Sequence, residues 1–169
     1  EPDSVVPRLA AAARAETPGP VHLDLRGGTA ADARTAAIDD APAAPGARDE
    51  FRRLLSGSRR PLVVAGSLAS RRAWGARLSQ LRVPVLTTVA AKGVVDETAA
   101  VSAGVWTGEG LELSPEARLV PEADLIVGLG LRNLEVVGAK PLPRPLALLD
   151  VLGPALSDGF APACRLSGA

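Results

Sequence analysis

The chain has no methionine and no tyrosine, one cysteine, one histidine, and only two tryptophans and two phenylalanines in 169 residues. A lone cysteine, Cys164, cannot close an internal disulfide, which points to a reducing, cytoplasmic setting. It also has no companion thiolate with which to build a zinc site. The poverty in aromatic residues argues against base-stacking platforms. Lys+Arg and Asp+Glu are 19 each, so no excess charge is available to attract nucleic acid or an anionic membrane. No apolar run approaches the roughly 18 residues that a membrane helix needs. No signal peptide is legible. A start at Glu1 without any methionine suggests a piece excised from a longer protein. What the chain does have is apolar content: 47% hydrophobic residues and a mean hydropathy of +0.17, enough for one sizeable core.

Val5 to Ala15 (VVPRLAAAARA) is alanine-rich and predicts a helix with Pro7 near its first turn. TPGP interrupts it. In GPVHLDL, Val21, Leu23 and Leu25 alternate with His22 and Asp24, the pattern of a strand. His22 has no serine or carboxylate partner in view and reads as structural. Residues 28–48 are rich in Ala, Pro, Gly and Asp and read as a linker without a core of its own.

Beyond the linker the pattern changes. DEFRRLL predicts a short helix with Phe51, Leu54 and Leu55 turned inward. PLVVAG (61–66) and VPVLTT (83–88) are continuous apolar runs, as expected of strands covered on both faces. SLASRRAWGARLSQL between them predicts one helix with Leu68, Trp74, Leu78 and Leu81 near one face. The stretch 90–110, AAKGVVDETAAVSAGVWTGEG, scatters Gly93, Gly104, Gly108 and Gly110 around Lys92 and reads as a loop. Ser114-Pro115-Glu116 predicts a helix start: an N-cap, a proline at the first position and an acid in the first turn. DLIVGLG (124–130), LALLDV (146–151) and ACRL (163–166) complete the strands. Buried strands alternating with helices predict an α/β fold, a Rossmann-like open parallel sheet of about six strands flanked by helices.

In such sheets ligands bind beyond the carboxyl ends of the strands. Gly66-Ser67, Thr87-Thr88, Gly128-Leu129-Gly130 and Asp150 all fall there. Glycines at those turns let a ligand approach backbone N–H groups, and they also serve simply to turn the chain. Lys92 or Arg132 could meet a phosphate; taken alone, each reads as a solvated loop charge. Asp150 could accept from ribose hydroxyls or cap a loop. Trp106 could stack on a ligand, although its composition context favours packing. GLGLRN lacks the third glycine of the dinucleotide fingerprint. Ser67 has no visible base, and AGSLA is not a nucleophile elbow. No pair of acids stands out for proton transfer.

Taken in order, PLVVAGSLAS, VPVLTTVAAKGVVDETAAVSAGVWTGEG, ADLIVGLGLRNLE and LALLDV resemble the central domain of thiamine-diphosphate-dependent enzymes. The flavour is that of the group with acetolactate synthase, benzoylformate decarboxylase and oxalyl-CoA decarboxylase. TPGPVHLDL similarly resembles the end of the preceding pyrimidine-binding domain. The resemblance implies three parts: 1–27 the C-terminal helix–strand remnant of the pyrimidine-binding domain, 28–48 a linker, and 49–169 the central domain.

It also implies a cleft that holds FAD in some members, ADP in others and nothing in the rest. Matched residue by residue, that cleft would involve Gly66, Ser67 and Leu68, then Thr88 and Val89, then Gly104, Val105 and Trp106, then Gly130 and Arg132, and finally Asp150. Ser67 and Leu68 stand where the group has glycines, and Ala91 stands where the synthases often have another. Asn133 to Val136 lacks the Asp and Arg that help to hold flavin. The catalytic Glu and the Gly-Asp-Gly motif for Mg2+ and thiamine diphosphate belong to the flanking domains, so the resemblance implies no catalytic residue here. The implied partners are those two domains of the same polypeptide, in a homo-oligomeric parent acting on a 2-oxo acid. The other reading is a stand-alone module binding FAD, ADP or NAD.

Overall fold

The computed structural model describes residues 2–15, 21, 44–150 and 157–167. The chain divides into two compact units, Glu1–Ile38 and Asp39–Ala169. In the first, helix α1 spans Pro2–Ala13. It begins three residues before the expected start at Val5, so Pro7 lies inside the helix and not in its first turn. Proline there removes one i→i−4 bond, and the alanines that follow carry the helix past the gap. The expected strand at 21–25 lies outside the described residues except for Val21, as does the linker 28–48 except for 44–48.

The second unit holds the expected α/β fold. Its strands are β1 (Pro61–Ala65), β2 (Val85–Thr88), β3 (Ser102–Trp106), β4 (Leu125–Leu129), β5 (Leu146–Leu149) and β6 (Cys164–Leu166). They form one sheet in the order β3-β2-β1-β4-β5-β6, and every neighbouring pair is parallel. The order reverses between β1 and β4, where the chain turns out from the middle of the sheet in both directions. The central strands read as unbroken apolar runs because both of their faces are covered. Leu62, Val64, Leu86, Ile126, Leu146 and Leu148 face one layer, with Trp106, Val120 and Phe160. Val63, Val85, Leu125, Val127 and Ala147 face the other, with Leu78 and Val95.

Helix α2 (Ala47–Gly57) packs Phe51 and Leu54 against the second layer, and Cys164 Sγ donates to Ala47 O at 3.4 Å. Leu55, expected inward, is 41% exposed: Phe51 and Leu54 pack on the second layer and Ala47 is buried beside β6, while Leu55 lies off that face.

The single helix expected after β1 is broken. Helix α3 is Ser67–Arg71 and helix α4 is Gly75–Leu78, with Ala73 between them at φ 52°. The left-handed Ala73 ends the first piece, and Gly75 opens the second at a point where a Cβ would run into the carbonyl oxygen of Val94. Leu81, expected on the buried face, is exposed beyond the end of α4.

The expected loop at 90–110 contains an edge strand instead. Ser102–Trp106 pairs with β2, with a register irregularity at Val85/Leu86. Gly104 sits at φ 103° opposite that irregularity, and a side chain there would press on the ring of Pro115. Helix α5 (Pro115–Leu119) starts as expected, with Ser114 Oγ accepting from the Ala117 amide at 3.3 Å.

Candidate functional site: the carboxyl ends of the strands

The point where strand order reverses lies between β1 and β4, and this is where open α/β sheets receive ligands. Here the two turns are drawn tightly together. The Gly66 amide donates to Leu129 O at 2.9 Å, and the Gly130 amide donates to Leu149 O at 2.8 Å. A Cβ on Gly66 would strike the Gly130 carbonyl, and one on Gly130 (φ +60°) would strike the side chain of Leu68. These two glycines serve the approach of one turn to the other. Leu68 is fully buried under Gly130 and belongs to the core of this junction.

The donors that remain at this point converge on Glu135, a residue the sequence reading left aside. It sits at the end of a 3-10 turn, Asn133–Glu135, that follows β4. Its carboxylate accepts from the Ser67 amide, 3.1 Å to each oxygen, and from Thr88 Oγ1 at 3.0 Å. One carboxylate thus ties together the ends of β1, β2 and β4. It takes the Ser67 amide and the Thr88 hydroxyl that an incoming anion would need. The Ser67 hydroxyl is engaged as well, accepting from Arg71 Nη2 at 2.9 Å. Val89, next to Thr88, points its apolar side chain outward and is 62% exposed.

A second cluster lies beyond β4, β5 and β6. Arg132, expected to meet a phosphate or to stand as a solvated loop charge, and Asp150, expected to accept from a ribose or to cap a loop, are both buried and paired with each other. Arg132 Nη1 donates to Asp150 Oδ2 at 2.9 Å, with side-chain exposures of 8% and 0%. Arg165 Nη1 stands 3.6 Å from the same oxygen and donates to Ser157 Oγ at 2.7 Å. Burial lowers the Arg165 pKa against the pull of Asp150. Asp150, being fully buried, is not presented to a ribose. The Nε and Nη2 of Arg132 are buried without a hydrogen-bond partner. That edge of a guanidinium can hold a carboxylate or phosphate with two parallel bonds. Lys92, the other candidate cation, is a solvated loop charge 3.6 Å from Glu97, both more than half exposed.

The remaining expected contacts fall on β3. Gly104, Val105 and Trp106 are strand residues, not a free loop, and Trp106 is 5% exposed, its ring 6.0 Å from that of Phe160. The turn after β3 is held by Glu116, also unforeseen. Its Oε1 accepts from the Thr107 amide (3.2 Å), Thr107 Oγ1 (2.9 Å) and the Gly108 amide (3.1 Å). Burial opposes its ionisation, but these bonds and one from its own backbone outweigh burial and hold its pKa below the usual glutamate range. Among the described residues no group of three or more His, Cys, Asp or Glu side chains could hold a metal ion, and no helix is long and apolar enough to cross a membrane.

The structure therefore brings together Gly66, Ser67, Leu68, Thr88, Gly130 and Glu135 at one junction. It gathers Arg132 and Asp150 at another and leaves Val105 and Trp106 on the edge strand. Glu135 carries no local sequence signal, because the Ser67 amide and the Thr88 hydroxyl are brought near it only by the fold; Glu116 was legible as the acid in the first turn of α5, but not as the group that holds the preceding turn.

Comparison with known proteins agrees with this architecture. Residues 49–149 match the family described as "Thiamine pyrophosphate enzyme, central domain". A Pseudomonas aeruginosa protein, named as probable 2-ketoarginine decarboxylase AruI, is 28% identical over 97% of this chain, which spans 31% of that protein. The X-ray structure of a Mycobacterium smegmatis protein assigned to the thiamin diphosphate-dependent enzymes superposes with a TM-score of 0.56 at 23% identity, over 82% of this chain and 28% of its own. Benzoylformate decarboxylase from Polynucleobacter necessarius superposes with a TM-score of 0.48 at 20% identity, over 85% of this chain and 28% of its own. The chain thus spans about a third of the length of these relatives. With the family match covering more than half of its residues, the chain belongs to the thiamine pyrophosphate enzyme central domain family.

Proposed function

We propose that this domain is the non-catalytic scaffold of a thiamine-diphosphate-dependent enzyme that decarboxylates a 2-oxo acid. The observation that carries the scaffold reading is Glu135. At the one place where this sheet order favours a ligand, the chain's own carboxylate takes the Ser67 amide and the Thr88 hydroxyl. Decarboxylation of a 2-oxo acid is supported by the name of the Pseudomonas aeruginosa relative. A parent that also ligates the product, as acetolactate synthases do, would use the same scaffold.

Thiamine diphosphate and Mg2+ do not fit the described residues, which offer no metal-binding cluster. They would be held by pyrimidine- and diphosphate-binding domains of the same polypeptide, in a homo-oligomer, and supply the carbanion stabilisation that decarboxylation needs. FAD or ADP does not fit the β1–β4 junction as its turns stand. One observation favours the second reading, a nucleotide-binding module: the buried, unpartnered Nε and Nη2 edge of Arg132 could receive a phosphate if the junction opened. Its contacts would then be Gly66, Ser67, Thr88, Gly130 and Arg132.

The test is turnover. Given thiamine diphosphate, Mg2+ and a panel of 2-oxo acids, the 169-residue chain should release no CO2. A polypeptide carrying this domain together with the two flanking domains should release it. CO2 from the chain alone would overturn the scaffold reading, and none from the complete polypeptide on any 2-oxo acid would overturn the parent assignment.

A further inference from the structure

The two edges of the sheet differ. β6 is three residues long and has α2 packed against it. β3 forms the other edge, and among the described residues no strand pairs with its outer side. Such an edge presents unpaired backbone N–H and C=O groups, which proteins commonly guard with lysine, proline or an inward-pointing charge. The sequence of β3, Ser-Ala-Gly-Val-Trp, contains none of these. The register irregularity at Val85/Leu86 is its one guard, and it leaves Ser102–Val105 only half-buried. Beyond them Trp106 is buried and Thr107 O takes the Val137 amide, so the open stretch ends there.

Two cavities, of about 510 and 370 Å3, meet at this edge, and Ala103 and Leu119 line both. Val83 and Val101 extend the apolar wall of the first, Leu113 and Pro115 that of the second. The rim is basic. Arg82 stands at the first cavity and Arg118 at the second, both exposed, and neither guanidinium has a hydrogen-bond or ion-pair partner among the described residues. Glu122 is the one acid in either wall. An adjoining cavity that shares Arg82 and Leu119 adds Arg59 and Arg60. Asp124 accepts from the backbone amides of that pair and from the Ser58 hydroxyl, which anchors the chain that carries the two arginines. The chain as a whole is neutral, so this excess of positive charge is local.

We infer that the outer side of β3 is a docking edge for an extended, acidic peptide segment, which adds a further strand to the sheet. Its backbone would pair with Ser102–Val105, its apolar side chains would enter the two cavities, and its carboxylates would meet Arg82 and Arg118. In such an arrangement main-chain bonds supply affinity and the side chains supply the choice of partner. A second copy of the chain fits worse, because pairing β3 with β3 would set the arginines of the two rims against each other. The inference rests on this sheet edge alone and is independent of the β1–β4 junction and of the parent's reaction.

The experiment is a titration of the 169-residue chain with acetyl-Glu-Glu-Val-Thr-Val-Glu-Glu-amide, followed by the Ala103, Gly104 and Val105 amides in 15N spectra. Adjacent acids at both ends of the peptide cover both faces of an added strand in either direction. Three further peptides serve as comparisons: one with glutamine and one with lysine in place of every glutamate, and one N-methylated at both valines. The acidic peptide should saturate the shifts below about 1 mM and bind about tenfold tighter than the glutamine peptide, as two exposed ion pairs would give. The lysine peptide should give no saturable shift. N-methylation removes main-chain donors without touching the charge, and should weaken binding at least about tenfold. Arg82→Gln combined with Arg118→Gln should bring the acidic and glutamine peptides within about twofold of each other.

Acidic and glutamine peptides of equal affinity for the parent chain would overturn the inference, and this comparison needs no variant. So would an N-methylated peptide that binds as tightly as the acidic one, because binding would then be by charge alone and not by strand addition. An absence of saturable shifts at 103–105 would overturn it too. Self-association of the chain without peptide, seen in sedimentation and lost with Arg82→Gln and Arg118→Gln, would assign the edge to a second copy and likewise overturn it. An acid preference that survives in the doubly substituted chain would contradict the role given to the two arginines.

Discussion

Replacing Glu135 by alanine is the sharpest perturbation of the β1–β4 junction. Its carboxylate accepts from the Ser67 amide and from Thr88 Oγ1, and Thr88 is fully buried. Hydrogen bonds to a charged acceptor contribute about 1.5–3 kcal/mol each, and a buried hydroxyl left without a partner costs about 1–3 kcal/mol. Two reductions apply. The Ser67 bond is split between two oxygens at 3.1 Å, and Glu135 is only half-buried, so water can replace part of what is lost. A total of about 2–3 kcal/mol follows, dominated by the Thr88 hydroxyl. For a domain of this size each kcal/mol corresponds to about 2–4 °C in Tm, so Glu135→Ala should melt about 5–10 °C lower.

Glu135→Gln, which retains an oxygen acceptor, should lose about 1 kcal/mol. Combining Glu135→Ala with Thr88→Val should cost less than the sum of the two single changes, by about 1 kcal/mol, because the orphaned hydroxyl is then gone. Urea unfolding followed by circular dichroism measures the parent and the four variants. A Glu135→Ala variant within about 0.5 kcal/mol of the parent, or strict additivity with Thr88→Val, would refute the reasoning.

Three further outcomes follow from the same structure. Asp150→Asn should cost about 3–5 kcal/mol, since it leaves Arg132 and Arg165 buried beside a neutral group; Arg132→Met should cost less, because it also removes the buried Nε and Nη2 that have no partner. Equal losses in denaturant midpoint would count against the pairing. The Ser58 hydroxyl and then the Arg59 amide hold the Asp124 carboxyl at a pKa of about 2, against an ordinary 3.8, so its contribution is complete above the ordinary value and is lost as pH falls from there towards 2. The midpoint difference between the parent and Asp124→Asn should therefore shrink in that acid window, and a difference that stays constant through it would refute the assignment. Ser114→Ala should cost about 1 kcal/mol through loss of the cap on α5, and no change in the unfolding midpoint would show that the cap contributes nothing.

Much of the fold was legible because it rests on local pattern. The runs Leu62–Ala65 and Leu125–Leu129 are apolar on both faces, and this pattern belongs to central parallel strands. Ser114-Pro115-Glu116 named its own helix start. The edge strand Ser102–Trp106 was not legible: it is built from small residues, contains Gly104 at positive φ, and is partly exposed, so it lacks the apolar run that marked the others. The break between α3 and α4 was hidden as well, because it lies at Ala73, a residue whose type favours helix and gives no sign of a positive φ.

The site shows the same division. The glycines, Thr88, Arg132 and Asp150 were found because strand ends can be located from pattern. Their roles were not found. Whether Arg132 is solvated or buried depends on Asp150, β6 and Ser157 arriving together. Glu135 matters only because three strand ends meet around it, and no spacing in the sequence records that meeting.

The most direct measurement is a calorimetric titration of the chain with FAD, ADP and NAD in turn. If the domain is a scaffold whose ligand point is held by Glu135, all three should give no saturable heat and no rise in Tm up to millimolar nucleotide. Saturable binding of any of them would contradict that claim and make the β1–β4 junction a nucleotide site.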